Sequence, residues 1–206
     1  MSLHTIIDNY LNDNIIVSGS PGIGTTSFIQ SLINQLCINN TVIYYNSQNS
    51  IDKNFIKNYY PNLENNVIFI TGTLEIFLEY IIHLLGEDSL PDYIVIDPGD
   101  ILINNSQTLK LISKLTKGID TKLIVTSQIR LNPNNVKTYS TIERWNALSN
   151  TSLFRYSLWI RNVTSNDDLY KLKYVDVFTQ TKNGNNYDER FIIKFDKKKG
   201  YVIWKK

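Results

Sequence analysis

The sequence predicts one α/β domain in which a central, mostly parallel sheet is flanked by helices and extended by antiparallel strands near the C-terminus. Short apolar runs alternate with helical patterns over the first two thirds of the chain, as in repeated βαβ units. After about residue 149, aromatic and polar residues alternate between turns rich in asparagine and glycine, as in an antiparallel meander. A chain of 206 residues with 42% hydrophobic content suits one such domain better than two.

The predicted parallel strands are short, continuously apolar runs, which are typical of strands covered by helices on both faces. They occupy residues 15–18, 41–45, 67–71, 93–97 and 122–127. Two segments between them carry apolar residues at helical spacing behind a residue able to cap a helix, Thr73 or Ser106. These apolar residues are Leu74, Phe77, Leu78, Ile81 and Leu85 in the first segment, and Leu109, Ile112 and Leu115 in the second. Both segments are therefore predicted to be helical.

The predicted domain, residues 1–206, divides into parts of different character. Residues 14–128 hold the βα units, and residues 151–206 hold the antiparallel strands. Residues 132–150 have neither helical periodicity nor a strand core. The segment 129–150 is therefore predicted to form one or two long loops.

The composition excludes several classes of protein. A net charge of +2 with 19% charged residues is too small to indicate a nucleic-acid binder by itself. A single cysteine, Cys37, excludes an internal disulfide. The first residues show no basic segment followed by an apolar run, and no stretch approaches the ~18 apolar residues of a membrane span. We therefore expect a soluble, cytoplasmic protein without membrane contact.

A glycine-rich segment follows the first predicted strand. It reads GSPGIGTT over residues 19–26 and precedes a helical pattern, in the order strand, loop, helix of a phosphate-binding loop. Glycines allow backbone N–H groups to point at phosphate oxygens, and the start of the helix adds the positive end of its dipole. Nucleotide contacts are predicted from the whole segment: Gly19, Ser20, Pro21, Gly22, Ile23, Gly24, Thr25 and Thr26. The alternative is a glycine-rich turn that binds no ligand.

One position of this segment departs from the pattern G-x-x-x-x-G-K-[ST] of nucleotide hydrolases. Thr26 occupies the position of the hydroxyl residue that binds Mg²⁺, so a nucleotide with Mg²⁺ is the predicted ligand. Thr25 occupies the lysine position. Because a hydroxyl cannot supply the positive charge that lysine offers to the β- and γ-phosphates, this substitution weakens the expectation of hydrolysis.

Polar residues at the ends of two later strands are the remaining candidates for this site. Asp97 ends an apolar strand, as the Walker B aspartate does, and its carboxylate is predicted to hold the metal's water shell. Gln128 follows the strand 122–127 and is predicted to sense the γ-phosphate and to signal its presence to the next loop. The alternatives are a turn-forming aspartate and a solvated glutamine.

In this order, the motifs resemble the ATPase core of the RecA family of DNA recombinases, from about Asn14 to the C-terminus. Residues 43–81 resemble the family's second strand, its catalytic segment and the elements after it, and residues 145–161 resemble the segment after the second DNA-binding loop. Residues 175–184, VDVFTQTKNG, resemble the strand whose paired lysines reach a neighbour's ATP. The replicative helicases of the DnaB type share the fold, but their arginine finger and linker helix find no counterpart here. The resemblance implies a RecA-like P-loop domain.

The resemblance also implies a role with DNA, in recombination, repair or replication. The loops over residues 129–150 would face DNA, with contacts from Arg130, Lys137, Arg144 and Trp145. Single-stranded DNA is the favoured form because an aromatic ring such as that of Trp145 can stack on its bases. The alternative is an ordinary solvated surface. The asparagine-rich, compact sequence suits a viral or phage gene.

Departures from the family decide what activity to expect. The family's catalytic glutamate is matched by Gln48, whose amide can position a water molecule but cannot accept its proton. Of the two inter-subunit lysines, only Lys182 is present, because the other position holds Gln180. Lys182 would contact the ATP of a neighbouring subunit. With Thr25 at the P-loop lysine as well, ATP hydrolysis is expected to be weak or absent.

Three functions stay open at this point. The first is a RecA-like protein that binds DNA and ATP with weak or absent hydrolysis. The second is a pseudo-ATPase that serves as a structural or regulatory subunit and binds another protein. The third is an active ATPase whose missing lysine and base come from a neighbouring subunit, which requires self-association.

Overall fold

The computed structural model describes residues 3–48, 51, 53–102, 108, 111–112, 114, 120–128, 153–163, 172–181, 184–196 and 200–205. The strands within these residues are β1 (Ile15–Gly19), β2 (Val42–Asn46), β3 (Val67–Thr71), β4 (Tyr93–Ile96), β5 (Lys122–Gln128), β6 (Tyr156–Asn162), β7 (Leu172–Thr181), β8 (Gly184–Asp196) and β9 (Gly200–Lys205). The helices are α1 (His4–Tyr10), α2 (Thr25–Leu36), α3 (Lys53–Tyr59), α4 (Pro61–Asn66), α5 (Leu74–Gly86) and a short 3₁₀ helix (Gly99–Leu102).

The described strands form one sheet in the order β3-β2-β4-β5-β1-β6-β7-β8-β9. From β3 to β6, neighbouring strands are parallel. From β6 to β9 they are antiparallel. The predicted mixed sheet, with a mostly parallel centre and an antiparallel extension, is therefore confirmed, and β6 is the strand at which the direction changes.

Side chains of the central strands pack on both faces of the sheet, which explains why these strands lack polar alternation. Ile15 and Val17 of β1 belong to the core beneath α1 and α2. Ile16 belongs to the second core, together with Phe77 of α5. Because successive residues of a strand point to opposite faces, a strand between two helix layers must be apolar at every position.

The helix predicted after Thr73 is α5. Of the helix predicted after Ser106, the structure describes four residues in helical conformation, Thr108, Leu111, Ile112 and Lys114. Helices α1, α3 and α4 were not predicted. They have 7, 7 and 6 residues, and two turns of helix are too short to establish a 3.6-residue pattern.

Strand β9 holds α2 against the antiparallel part of the sheet. The backbone N–H of Tyr201 donates a 2.9 Å hydrogen bond to Oγ of Ser31. The rings of Tyr201 and Phe28 meet edge to face, with 6.0 Å between centroids. Since α2 follows the glycine-rich segment directly, these contacts fix the position of that segment.

In the described part of the chain, no helix has the length and apolar character needed to cross a membrane.

Candidate nucleotide-binding site

Residues 19–26, called the phosphate loop below, connect the end of β1 to the first turn of α2. Inside the loop, the N–H of Ile23 donates a 3.0 Å hydrogen bond to the carbonyl of Ser20. The N–H of Phe28 bonds to the carbonyl of Gly24, which begins the helical hydrogen-bond ladder. The N–H groups ahead of Phe28 therefore have no intrahelical acceptor, and no side chain caps this end of the helix. Such a helix start is suited to receive an anion.

Two glycines of the loop are required by their surroundings. A Cβ atom on Gly19 would lie 2.5 Å from Cγ2 of Ile23 and 2.7 Å from Oγ1 of Thr25. Gly24 has φ +93°, a left-handed conformation, and a Cβ atom there would lie 2.7 Å from the hydroxyl of Tyr201. Ile23 is buried in the core beneath α2 and anchors the loop. The glycines therefore allow a tight loop that leaves its backbone accessible.

The loop borders a cavity of about 210 Å³ at the carboxyl edge of the parallel sheet. The ends of β4 and β5 form its other wall, because both strands run parallel to β1 in the sheet. The residues that line it are Ser20, Pro21, Gly22, Gly24, Thr25, Thr26, Asp97, Pro98, Thr126 and Ser127. The predicted loop and the predicted metal-binding aspartate thus meet at one cavity.

Asp97 is held in place by two hydroxyl groups. The Tyr44 hydroxyl donates a 2.6 Å hydrogen bond to Oδ2 of Asp97, and the Thr126 hydroxyl donates a 2.6 Å bond to Oδ1. Burial, together with the Asp97 charge, raises the pKa of Tyr44 well above its usual value, so the phenol stays a neutral donor. Asp97 is only 4% exposed, and its carboxylate oxygens keep further lone pairs for a metal ion or its water.

Gln48 and Gln128, the other predicted catalytic residues, are not among the described residues that line the cavity. Gln48 follows β2 at the same edge of the sheet, but its side chain is exposed and does not line the cavity. Its backbone N–H donates to Oδ1 of Asn46. The backbone of Gln128 pairs with Gly19 in the β1–β5 register, while its side chain lies outside the described part.

The predicted DNA contacts and the predicted inter-subunit lysine lie outside the described residues. They are Arg130, Lys137, Arg144, Trp145 and Lys182.

Several residues next to the site were not singled out from the sequence. Tyr44 and Thr126 hold Asp97, although the sequence presents them only as parts of apolar strands. Lys173 of β7 was also missed, although the position of its Cε is 3.9 Å from that of a Cβ atom on Gly24. The sequence could have indicated its position, because Lys173, Val175 and Val177 alternate along the strand and therefore face the same side of the sheet.

No family model matches the chain, and no curated protein is similar to it in sequence. The solved structures that are similar in fold include the following two. The crystal structure of the flagellar accessory protein FlaH from Methanocaldococcus jannaschii matches with a TM-score of 0.63 and 15% identity, over 98% of this chain and 96% of that one. The second, the structure of an ATPase domain, matches with a TM-score of 0.65 and 13% identity, over 98% of this chain and 89% of that one. At these identities the likeness concerns the fold alone, which is that of the RecA-like P-loop ATPase domains.

Proposed function

We propose that this protein binds ATP with Mg²⁺ at the phosphate loop and hydrolyses it slowly or not at all, as a RecA-like protein of DNA recombination, repair or replication. The observation that carries the nucleotide half is the cavity shared by the phosphate loop, the uncapped start of α2 and the Asp97 carboxylate. These groups match the two parts of the ligand, because amides and a helix start suit phosphate, whereas a hydroxyl and a carboxylate suit Mg²⁺.

In this proposal, the phosphate chain lies against the backbone N–H groups of the loop and of the first turn of α2. The Thr26 hydroxyl and the Asp97 carboxylate would hold the metal, directly or through its water. Tyr44 and Thr126 would keep the carboxylate oriented, as hydrogen-bonded neighbours do for other metal-binding carboxylates. Bound Mg²⁺ would neutralise phosphate charge.

The expectation of slow hydrolysis rests on two side chains. Thr25 brings a hydroxyl to the position from which a lysine would neutralise the transferred phosphoryl group. Gln48 is exposed, does not line the cavity and cannot act as a base. A missing general base alone reduces a rate by roughly 10²- to 10⁴-fold.

The nucleotide half is tested by titrating a fluorescent ATP analogue in the presence and absence of Mg²⁺. We expect saturable binding that Mg²⁺ strengthens and that Asp97→Asn weakens roughly tenfold. Asp120→Asn is the matched control, since the Asp120 side chain is fully exposed and its ion pair within the described residues is with Lys122. Absence of saturation at millimolar nucleotide, or an Asp97→Asn variant that binds like the wild type, would refute the proposal.

The DNA half is supported by an exposed surface on β6–β9, on the side of the sheet opposite α2. Arg161 and Arg190 each donate Nε–H to the Asp176 carboxylate. Their guanidinium carbons lie 4.9 and 4.6 Å from the centroid of the Tyr174 ring. The carboxylate is 4% exposed, whereas the two arginine side chains are 38% and 40% exposed. Asp176 thus orients two partly exposed guanidinium groups, each of which has N–H donors beyond the Nε–H that it gives to Asp176.

An exposed aromatic ring of β9 lies beside a lysine of β8. The Lys194 ammonium lies 4.8 Å from the centroid of the Trp204 ring, and Trp204 is 59% exposed. Cations beside exposed rings suit single-stranded DNA, because phosphates pair with the cations and bases stack on the rings. The predicted loop contacts Arg130, Lys137, Arg144 and Trp145 remain part of this proposal.

Fluorescence anisotropy with a labelled single-stranded oligonucleotide tests the DNA half. We expect binding that weakens steeply with salt and that Trp204→Ala and Lys194→Ala reduce at constant stability. Binding that does not depend on salt, or that both variants leave unchanged, would contradict a role for this surface.

The second candidate, a pseudo-ATPase subunit of a protein complex, is favoured by the joint presence of Thr25 and Gln48 at catalytic positions. It predicts no DNA binding at low salt and a stable, stoichiometric complex with one purified partner protein. The third, hydrolysis shared between subunits through groups such as Lys182, predicts phosphate release that rises with protein concentration. A rate that stays at background over that range would exclude it.

A further inference from the structure

We propose that Lys173 supplies, from strand β7 of the same subunit, the positive charge that the P-loop pattern normally places at the position of Thr25. This inference depends on the proposed function, since it assumes that a phosphate chain binds at the phosphate loop. The P-loop pattern itself does not include Lys173, which lies far beyond Thr25 in the chain.

The strand register carries Lys173 to the level of the loop. Gly19, the last residue of β1, pairs with Ile160 of β6. Asn162 lies two residues further along β6 and pairs with Lys173 of β7. At about 3.3 Å per residue, Lys173 therefore lies roughly 7 Å beyond the end of β1 as measured along the strands, on the second strand away from β1.

The side chain of Lys173 points to the face of the sheet that carries α2. It has the same strand parity as Val175 and Val177, which belong to the core beneath α2. Its Cε lies 3.9 Å from the position of a Cβ atom on Gly24. Lys173 therefore lies beside the turn of the loop that leads into α2, next to the residues that line the cavity but not among them. Its long side chain would bring the ammonium to a phosphate bound at that turn.

Within the part of the chain that the structure describes, Lys173 is a cation without a counter-charge. Its Nζ donates a 3.2 Å hydrogen bond to Oδ1 of Asn162, a neutral amide. No carboxylate among the described residues forms an ion pair with it. Burial lowers its pKa, as expected for an ammonium group that loses solvent and gains no acid. A phosphate chain in the loop would provide the counter-charge and accept its remaining N–H donors.

Thr25 cannot perform this role from its own position. Its Oγ1 lies 2.7 Å from the position of a Cβ atom on Gly19, so the hydroxyl is directed towards the end of β1. A lysine can act from a different backbone position, because its ammonium is a compact charge on a long, flexible stem. Lys173 would act within its own subunit, in contrast to the inter-subunit contact predicted for Lys182.

The test compares Lys173→Gln, Lys173→Arg and a control lysine in titrations with a non-hydrolysable ATP analogue and Mg²⁺. Lys122→Gln is the control, because Lys122 lies at the amino end of β5, away from the cavity at the carboxyl ends of the strands, and pairs with Asp120. We expect Lys173→Gln to weaken binding about tenfold or more, Lys173→Arg to weaken it less, and Lys122→Gln to leave it unchanged. Adenosine, which has no phosphate, should bind equally to all four proteins.

A rescue experiment separates a direct role from a structural one. Thr25→Lys, which restores the P-loop pattern, should raise the affinity of the Lys173→Gln variant several-fold more than that of the wild type. Thermal melting should show that Lys173→Gln does not destabilise the fold, since it removes a half-buried charge. If the wild type binds nucleotide and Lys173→Gln binds equally well, this inference fails and the proposed function stands. If the wild type does not bind, the proposed function fails and the inference falls with it.

Discussion

A series of glycine substitutions tests the geometry of the phosphate loop, because three glycines differ in a graded way. Gly86, at the end of α5, has no atom within 4 Å of the position that a Cβ atom would take, and no positive φ. Gly22 has the same open space but φ +76°. Gly24 combines φ +93° with a contact of 2.7 Å to the Tyr201 hydroxyl. Alanine at Gly86 is therefore the control with free space. Alanine at Gly22 tests the left-handed backbone conformation alone, and alanine at Gly24 tests that conformation together with a steric clash.

The expected magnitudes follow from these differences. Gly86→Ala should be neutral or should stabilise the protein by up to about 1 kcal/mol. Gly22→Ala should cost roughly 1–2 kcal/mol, the penalty of a left-handed conformation for a residue with Cβ. Gly24→Ala should cost a further ~1–3 kcal/mol for the clash. In Tyr201→Phe, the nearest remaining ring atom lies 3.7 Å away, so the double variant should recover the clash contribution and retain the conformational one.

Equilibrium unfolding in urea measures the free energy of unfolding of each variant, with equal m-values as the condition for comparing them. The wild type and Tyr201→Phe give the reference for the double-mutant cycle. The reasoning would be refuted by a Gly24→Ala variant as stable as Gly86→Ala. It would also be refuted if Tyr201→Phe did not improve the stability of Gly24→Ala.

Three further outcomes are expected. Tyr44→Phe removes the hydroxyl that holds Asp97. The free energy of unfolding should therefore fall by about 2 kcal/mol, and the Mg²⁺ dependence of nucleotide binding should weaken. Calorimetry that finds both quantities unchanged would contradict this prediction. Burial raises the pKa of Cys37 to about 11, so alkylation by iodoacetamide at pH 8 should be slow in the native protein and fast in urea, as mass spectrometry can measure. Nucleotide affinity should decline as the pH rises through the lowered pKa of Lys173, because the ammonium is charged only below that pKa. The decline should be absent in Lys173→Gln. An equal decline in the wild type and in Lys173→Gln would argue against a role for the Lys173 ammonium.

The sequence was sufficient for elements whose signal lies in their own residues. The strands β1, β2, β4 and β5 are covered on both faces, so their continuous apolar runs identify them within one or two residues. Strand β3 was also predicted, although it lies at the edge of the sheet and is partly exposed. The phosphate loop was recognisable because its glycines and its flanking elements are consecutive in the chain.

The contacts that complete the candidate site were not predictable in the same way. Thr126 reaches Asp97 from the neighbouring strand β5, and Lys173 reaches Gly24 from β7. Such contacts depend on strand order and register, which a single residue pattern does not determine. The exposure of Gln48 likewise follows from the path of the chain after β2 and not from the residue type.

The hydrogen bond between Tyr201 and Ser31 joins positions 170 residues apart. Helix α2 therefore gains part of its support from β9, a strand that lies far from it in the chain. Contacts of such separation are slow to form, because a long segment must first lose its freedom. We therefore expect the phosphate loop to become fully ordered late in folding, when β9 docks on α2.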